Sequence, residues 1–277
     1  MPIRPSSILA SLRGLLTTRE LLISTVSRFL TGILSGLVGL GGAELRIPFV
    51  LYALNVPLHE MVAANLLMSL LVSSTNFALR ARVGLLSTNA VIISLSMILG
   101  SLIGAFLGAS LSRRITERKM KAFIAIVLTI VVIRLIVGFL GTTQTIPSSS
   151  PSLLELAMSA VFGLMIGGIA GSIGVAGGEF QIPVLTYIFG LSIKIAGTAS
   201  QLVSIPTIIV ALLKHGSRGF LSGRALRISA LMGTASVLGV IASIPILENS
   251  NERIVELAFA AILLYTIARL LIELARS

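Results

Sequence analysis

Of the 277 residues, 55% are hydrophobic and only 11% are charged, with a mean hydropathy of +1.05, which excludes an ordinary soluble domain. The net charge of +11 invites nucleic acid, but the basic residues sit in short stretches between apolar runs, where membrane proteins keep them, so no nucleic-acid partner is expected. The absence of cysteine removes disulfides, Cys-ligated metals and thiol chemistry together.

In chain order, residues 1–19 read as a cytoplasmic segment. Arg13 and Arg19 interrupt an apolar stretch too short for a cleavable signal peptide, while Ile8, Leu12, Leu15 and Leu16 offer one face to a membrane surface. Eight apolar runs follow: Glu20–Leu40, Met61–Leu79, Asn89–Leu111, Met120–Leu140, Leu153–Ser172, Ile195–Leu213, Leu226–Leu247 and Ile254–Ile272. Each approaches the roughly 20 residues that a helix needs to cross a ~30 Å hydrocarbon core. The shorter pieces Ile47–Leu54 and Ile182–Phe189 cover only part of that thickness. The expected fold class is all-α: a polytopic helical membrane protein.

The chain is written twice. Gly36-Leu-Val-Gly39-Leu-Gly41-Gly42-Ala-Glu44-Leu-Arg46-Ile47-Pro48 returns 135 residues later as Gly171-Ser-Ile-Gly174-Val-Ala-Gly177-Gly178-Glu179-Phe-Gln181-Ile182-Pro183. Extended to Tyr52 and Tyr187, seven of 17 aligned positions are identical without a gap. The same offset pairs Glu20 with Glu155, Ser69 with Ser204, Gly104 with Gly239 and Arg134 with Arg269. Residues 20–140 and 153–277 are therefore expected to be two transmembrane repeats joined by the uncharged linker 141–152.

Loop charge predicts their relative orientation. Ser112–Lys121 carries five basic residues, while its partner Leu247–Glu256 carries Arg253 against three glutamates. Lys214–Arg227 carries four, against Arg80 and Arg82 in Leu79–Ile92. Equivalent loops with opposite bias are the mark of an inverted-topology repeat. Both termini, Ser112–Lys121 and Lys214–Arg227 are expected in the cytoplasm of a multi-pass protein of the plasma membrane. Each repeat then crosses an odd number of times, either with a re-entrant hairpin at the glycine motif or with a short full crossing there.

Function is expected at the glycine motifs. Glycine opens backbone conformations closed to other residues, so a helix can stop and restart at Gly39, Gly41 and Gly42 and at Gly174, Gly177 and Gly178. Pro48 and Pro183 suit the first turn of a restarted helix. Such a start presents unpaired N–H groups and a positive dipole end, and two of them meeting would make an anion site. Glu44 and Glu179 have three readings: permanent helix caps, proton-coupling groups that release the donors when neutralised, or cation ligands. Burial favours the neutral acid and the helix dipole favours the carboxylate.

Arg46 is placed to offer a forked donor to an oxyanion, with Gln181 as its neutral counterpart. Asn65 and Ser69 align with Ser200 and Ser204, and Gln201 lies beside them. They supply either neutral donors to an anion or interhelical hydrogen bonds. His59 reads as interfacial and His215 as a surface residue of a basic loop, while Arg134 and Arg269 read as structural residues that snorkel. Gly100, Gly104 and Gly108, with Ala235, Gly239 and Ser243, are small residues at the spacing of close helix packing.

The motif GLGGAELRIP and its second copy SIGVAGGEFQIP resemble the glycine-rich, proline-closed elements of the TauE/SafE sulfite exporter family. The helix starts Ala63–Leu66 and Gly197–Gln201, and the turns Arg80–Gly84 and Lys214–Gly219, resemble it too. The resemblance covers residues of about 22–273, with Ala43 and Ala176 each standing in for a glycine. It implies transport of sulfur-containing anions such as sulfite or sulfonates, usually outward across the plasma membrane. With the paired motifs this gives the expectation of a secondary transporter that exports such anions by alternating access, proton coupling being one of the three readings of Glu44 and Glu179. An importer of similar anions and a passive anion channel are the alternatives.

No catalytic constellation is present: there is no HExxH motif, no CxxC motif and no nucleotide-binding P-loop. Neither cofactor nor metal is expected. The partners expected are a small anionic substrate and the lipid bilayer, with a homodimer admissible.

Overall fold

A computed structural model describes residues 18–41, 58–111, 125–126, 128–130, 132–133, 150–216 and 223–276. The described residues are helical, with no strand among them: α1 Thr18–Val38, α2 Leu58–Arg82, α3 Thr88–Leu111, α4 Leu153–Ile173, α5 Gly178–Tyr187, α6 Ile193–Gly216, α7 Gly223–Asn249 and α8 Glu252–Arg276. The described residues between 125 and 133 are helical as well. Five of these helices contain spans of 20 to 24 residues apolar enough to cross a membrane. Each occupies one of the runs expected from hydropathy, and the short run Ile182–Phe189 is largely α5. The protein is thus a polytopic helical membrane protein.

Local chemistry sets several helix starts. Ser152 and Glu155 form a reciprocal capping box at the head of α4. Ser87 Oγ accepts the Ala90 N–H at the head of α3, and Asn251 Oδ1 accepts the Ile254 N–H at the head of α8. Helix boundaries follow the 135-residue offset: Thr18–Val38 maps onto Leu153–Ile173, and the start of α2 maps onto the start of α6.

Two seams join the bundle, and both are made of small residues. In the first, α3 lies along α4 in the same direction, with Gly163 on Met97, Gly167 on Ser101 and Gly171 on Ala105. A Cβ added to Gly104 would stand 2.1 Å from the Leu164 carbonyl oxygen, and one on Gly108 2.0 Å from that of Gly168. In the second seam α1 lies along α7, where a Cβ on Gly32 would stand 2.2 Å from the Ser236 oxygen and one on Gly239 2.2 Å from that of Phe29. Backbones this close gain van der Waals contact that lipid cannot replace. Outward from the first seam, Leu95, Leu99, Ile103 and Leu107 of α3 are exposed, a face for acyl chains.

Between the seams, α2 and α6 cross antiparallel: Arg80 near the end of α2 reaches Lys194 near the start of α6. Among the described residues, these two helices carry half of the buried polar side chains, including Asn65, Ser69, Ser73 and Asn76 on α2 and Ser200, Gln201, Ser204 and Thr207 on α6.

Two expectations need correction here. Arg80 was read as a loop residue, yet α2 continues through it and leaves it 0% exposed. His215 was read as a surface residue, but it lies in the last turn of α6 and is buried. A charged residue that ends an apolar run looks like a loop in hydropathy; here backbone carbonyls of neighbouring helices accept its protons instead of water.

Candidate functional site

The glycine motifs interrupt helices as expected. The first copy leaves α1 through Gly39, at φ +89°, and the second leaves α4 through Gly174, at φ +80°. The Gly174 N–H returns to the Ala170 carbonyl at 2.9 Å, a left-handed helix cap. Gly177, again at φ +80°, then turns the backbone so that α5 begins at Gly178. Its N-cap has no side-chain hydrogen bond. Pro183 lies within α5 rather than in its first turn, because the left-handed Gly177 has already restarted the helix upstream. Gly42, Glu44, Arg46 and Pro48 lie outside the described residues, as do the side chain of His59 and all of Arg134.

The two interruptions touch each other. A Cβ on Gly41 would stand 2.3 Å from Ala176 Cβ, and one on Gly178 3.3 Å from Leu40 Cδ2. Each is held by the other half of the chain. Asn65 Nδ2 of α2 donates to the Gly174 carbonyl at 2.9 Å. Ser200 Oγ of α6 donates to the Gly39 carbonyl at 3.0 Å, and Gln201 Nε2 donates to the same oxygen. Asn65 aligns with Ser200 and Gly174 with Gly39, so the two clamps are equivalent. Ser204 Oγ adds bonds to the Ala176 carbonyl, 2.9 Å, and to Gln181 Oε1, 3.1 Å. A helix broken inside a bundle exposes carbonyls that must be paired, and these side chains pair them.

The clamps leave other polar atoms at the junction without a hydrogen-bond partner among the described residues. They are Ser69 Oγ, Ser73 Oγ and Gln181 Nε2, which can donate, and Asn65 Oδ1 and Gln201 Oε1, which can accept. All five side chains are at most 1% exposed. Asn65, Ser69 and Ser73 share one face of α2 at four-residue spacing, and since Asn65 meets Gly174 and Ser73 lies beside Gly41, Ser69 faces the junction between them. Glu179 sits in the first turn of α5, 4% exposed. The structure thus brings together Gly39, Gly41, Gly174, Gly177, Gly178, Glu179, Gln181, Asn65, Ser69, Ser200, Gln201 and Ser204. Among the described residues, no group of three or more His, Cys, Asp or Glu could hold a metal ion.

Two buried cations were missed. Arg28, 1% exposed, extends from α1 toward Met68 Sδ at 3.8 Å. Its signal was available, since a lone charge inside the run Glu20–Leu40 has to be accommodated by the bundle. Arg80 donates to the carbonyls of Gly36, Leu37 and Lys194 and to Thr198 Oγ1. Its position near the end of a run hid it.

The family model described as Sulfite exporter TauE/SafE matches residues 8–135 and 159–277. Among curated proteins and among solved structures, nothing matches the chain.

Proposed function

The chain belongs to the sulfite exporter TauE/SafE family, and from that premise we propose that it moves sulfite or a related sulfonate outward across the plasma membrane by alternating access. Membership makes it a membrane transporter of sulfur-containing anions. Direction, coupling and mechanism are our reading. In it the halves are inverted repeats that rock or gate against each other around the paired glycine interruptions. Two features support the inversion. The equivalent helices α2 and α6 cross antiparallel, which a two-fold axis in the membrane plane requires. The third long helix of each half also packs on the first helix of the other, α3 on α4 and α7 on α1.

One observation carries the assignment of the site: two touching helix interruptions, each clamped by the other half, surrounded by buried polar atoms that have no hydrogen-bond partner among the described residues. An oxyanion entering the junction would take hydrogen bonds from Ser69, Ser73 and Gln181 and face the positive end of α5. Gly39, Gly41, Gly174, Gly177 and Gly178 let the backbone approach it, and Asn65, Ser200, Gln201 and Ser204 hold that backbone in place. Gly42 and Arg46 join the same site in this reading. Glu44 and Glu179 carry the coupling proton: ionised, each competes with the anion for the helix N-terminus, and neutral, each yields it.

The test is sulfite efflux from proteoliposomes with and without a pH gradient, in the wild type and in Glu44→Gln and Glu179→Gln. Wild-type flux that responds to the gradient, with no response in either variant, is expected. Gradient-independent flux that survives both changes would make the glutamates helix caps and the protein a channel or uniporter.

A further inference from the structure

We propose that Arg80 is the latch that fastens the two halves together at one end of the transporter, so that opening this end during transport means breaking its bonds. The proposal rests on the two-repeat reading above and goes beyond it by naming the residue that closes an end. Arg80 sits in the last turn of α2 and is completely buried. Its Nη1 donates to the Gly36 carbonyl at 2.7 Å and to that of Leu37 at 3.3 Å, both in the first half. Its Nε donates to Thr198 Oγ1 at 3.1 Å and its Nη2 to the Lys194 carbonyl at 2.7 Å, both in the second half.

Capping the end of α1 would explain the first two bonds but neither of the last two. Every partner is a neutral oxygen, so the attraction is charge-assisted and the guanidinium fork does the spanning. The site around it is shaped to fit. A Cβ on Gly197 would stand 2.6 Å from Arg80 Nη2 and 2.3 Å from the Val38 carbonyl oxygen, so only glycine there lets the cation and the end of α1 approach α6 together. Lys194, whose carbonyl Arg80 grips, donates its own ammonium to the carbonyls of Leu247, at 2.8 Å, and Ser250. The end of α7 is thereby drawn into the same knot.

The equivalent position in the second half carries a different side chain. The residue 135 positions on is His215, and its Nε2 stands 3.5 Å from the carbonyl of Gly171, the counterpart of Gly36. An imidazole has two ring nitrogens and can lose its charge, whereas the guanidinium presents five donors and keeps its charge. The contact described for His215 lies within the second half, whereas those of Arg80 span both halves.

Because the chain has no native cysteine, one introduced thiol reports each end. Val38→Cys, 0% exposed beside the latch, and Ala211→Cys, 1% exposed toward the other end, are labelled with a small maleimide added to both sides of proteoliposomes. Adding Arg80→Gln should speed labelling at 38 by about tenfold, the equivalent of ~1.4 kcal/mol between closed and open states, while labelling at 211 does not rise. Gly197→Ala should act in the same direction, and Arg80→Lys should restore part of the protection.

Faster labelling at both positions would mean general loosening and would overturn the latch. So would unchanged labelling at 38 in an Arg80→Gln protein that elutes as a single folded species. If Arg80→Gln does not fold, Gly197→Ala carries the same two outcomes. The readout needs no transported anion, so failure of sulfite efflux leaves it intact.

Discussion

The seam between α3 and α4 and the junction of the two interruptions are both built on glycine, yet glycine serves opposite ends in them. Along the seam Gly100, Gly104, Gly163, Gly167 and Gly171 stay helical and remove bulk, so that backbone meets backbone and Ser96 Oγ can donate to the Leu156 carbonyl at 2.7 Å. At the junction Gly39 and Gly174 adopt positive φ, end helices, and create carbonyls that Asn65, Ser200 and Gln201 have to satisfy, while Gly177, also at positive φ, starts the next helix. One kind of glycine is tested by size, the other by conformation and by its polar partners.

The largest effect should come from size at the seam. Gly104→Val places a branched side chain against the Leu164 carbonyl, which belongs to a helix backbone and cannot swing aside. A loss of about 3 kcal/mol is expected, at the upper end for overpacking, seen as a lower unfolding midpoint in detergent. An unchanged midpoint would mean that the helices are not this close.

Next comes the pairing of carbonyls. Asn65→Ala removes the described donor to Gly174 and should cost ~1–3 kcal/mol, the penalty for an unsatisfied buried acceptor. Ser200→Ala should cost less, because Gln201 still donates to the Gly39 oxygen. The reverse order would break the equivalence of the two clamps.

Conformation at the junction ranks third. Gly177→Ala forces a side chain into the left-handed region at about 1–2 kcal/mol. Gly178→Ala should be milder, since its tightest contact is the flexible end of Leu40 at 3.3 Å and the backbone of Leu40 and Gly39 lies at ordinary distances of 3.6 and 3.7 Å. Equal losses in the two would argue that crowding and not φ governs the site.

The smallest effect should have the opposite sign. A Cβ on Gly168 has only the Gly104 oxygen within reach, at 3.8 Å, an ordinary contact. In α4 the change to alanine removes glycine's entropic cost and should stabilise by roughly 0.5–1 kcal/mol. Its thermal midpoint, read beside that of Gly104→Val, tests whether contact geometry decides the outcome along a single seam.

Much of this was legible in the chain. Apolar runs located the spans because lipid demands them, and the offset of 135 residues matched Gly39 with Gly174 and Asn65 with Ser200 before any contact was known. The small residues Gly100, Gly104 and Gly108 announced a close helix contact without naming the partner, which is α4 of the other half. Arg80 and His215 were misplaced because hydropathy marks where an apolar run ends but not where a helix ends. The charge of Arg28 stands inside the run Glu20–Leu40, so its burial was legible in the residues.

What the chain alone determined is the periodic and compositional part: which segments enter the membrane, where glycine permits a helix to stop, and that the plan is repeated. Which side chain holds which carbonyl was decided only by tertiary structure. Ser200 and Gly39 lie 161 positions apart, Arg80 and Thr198 118 apart, and their meeting depends on the register of two antiparallel helices. That register is set by packing between distant surfaces, and it leaves no local pattern in the residues that it joins.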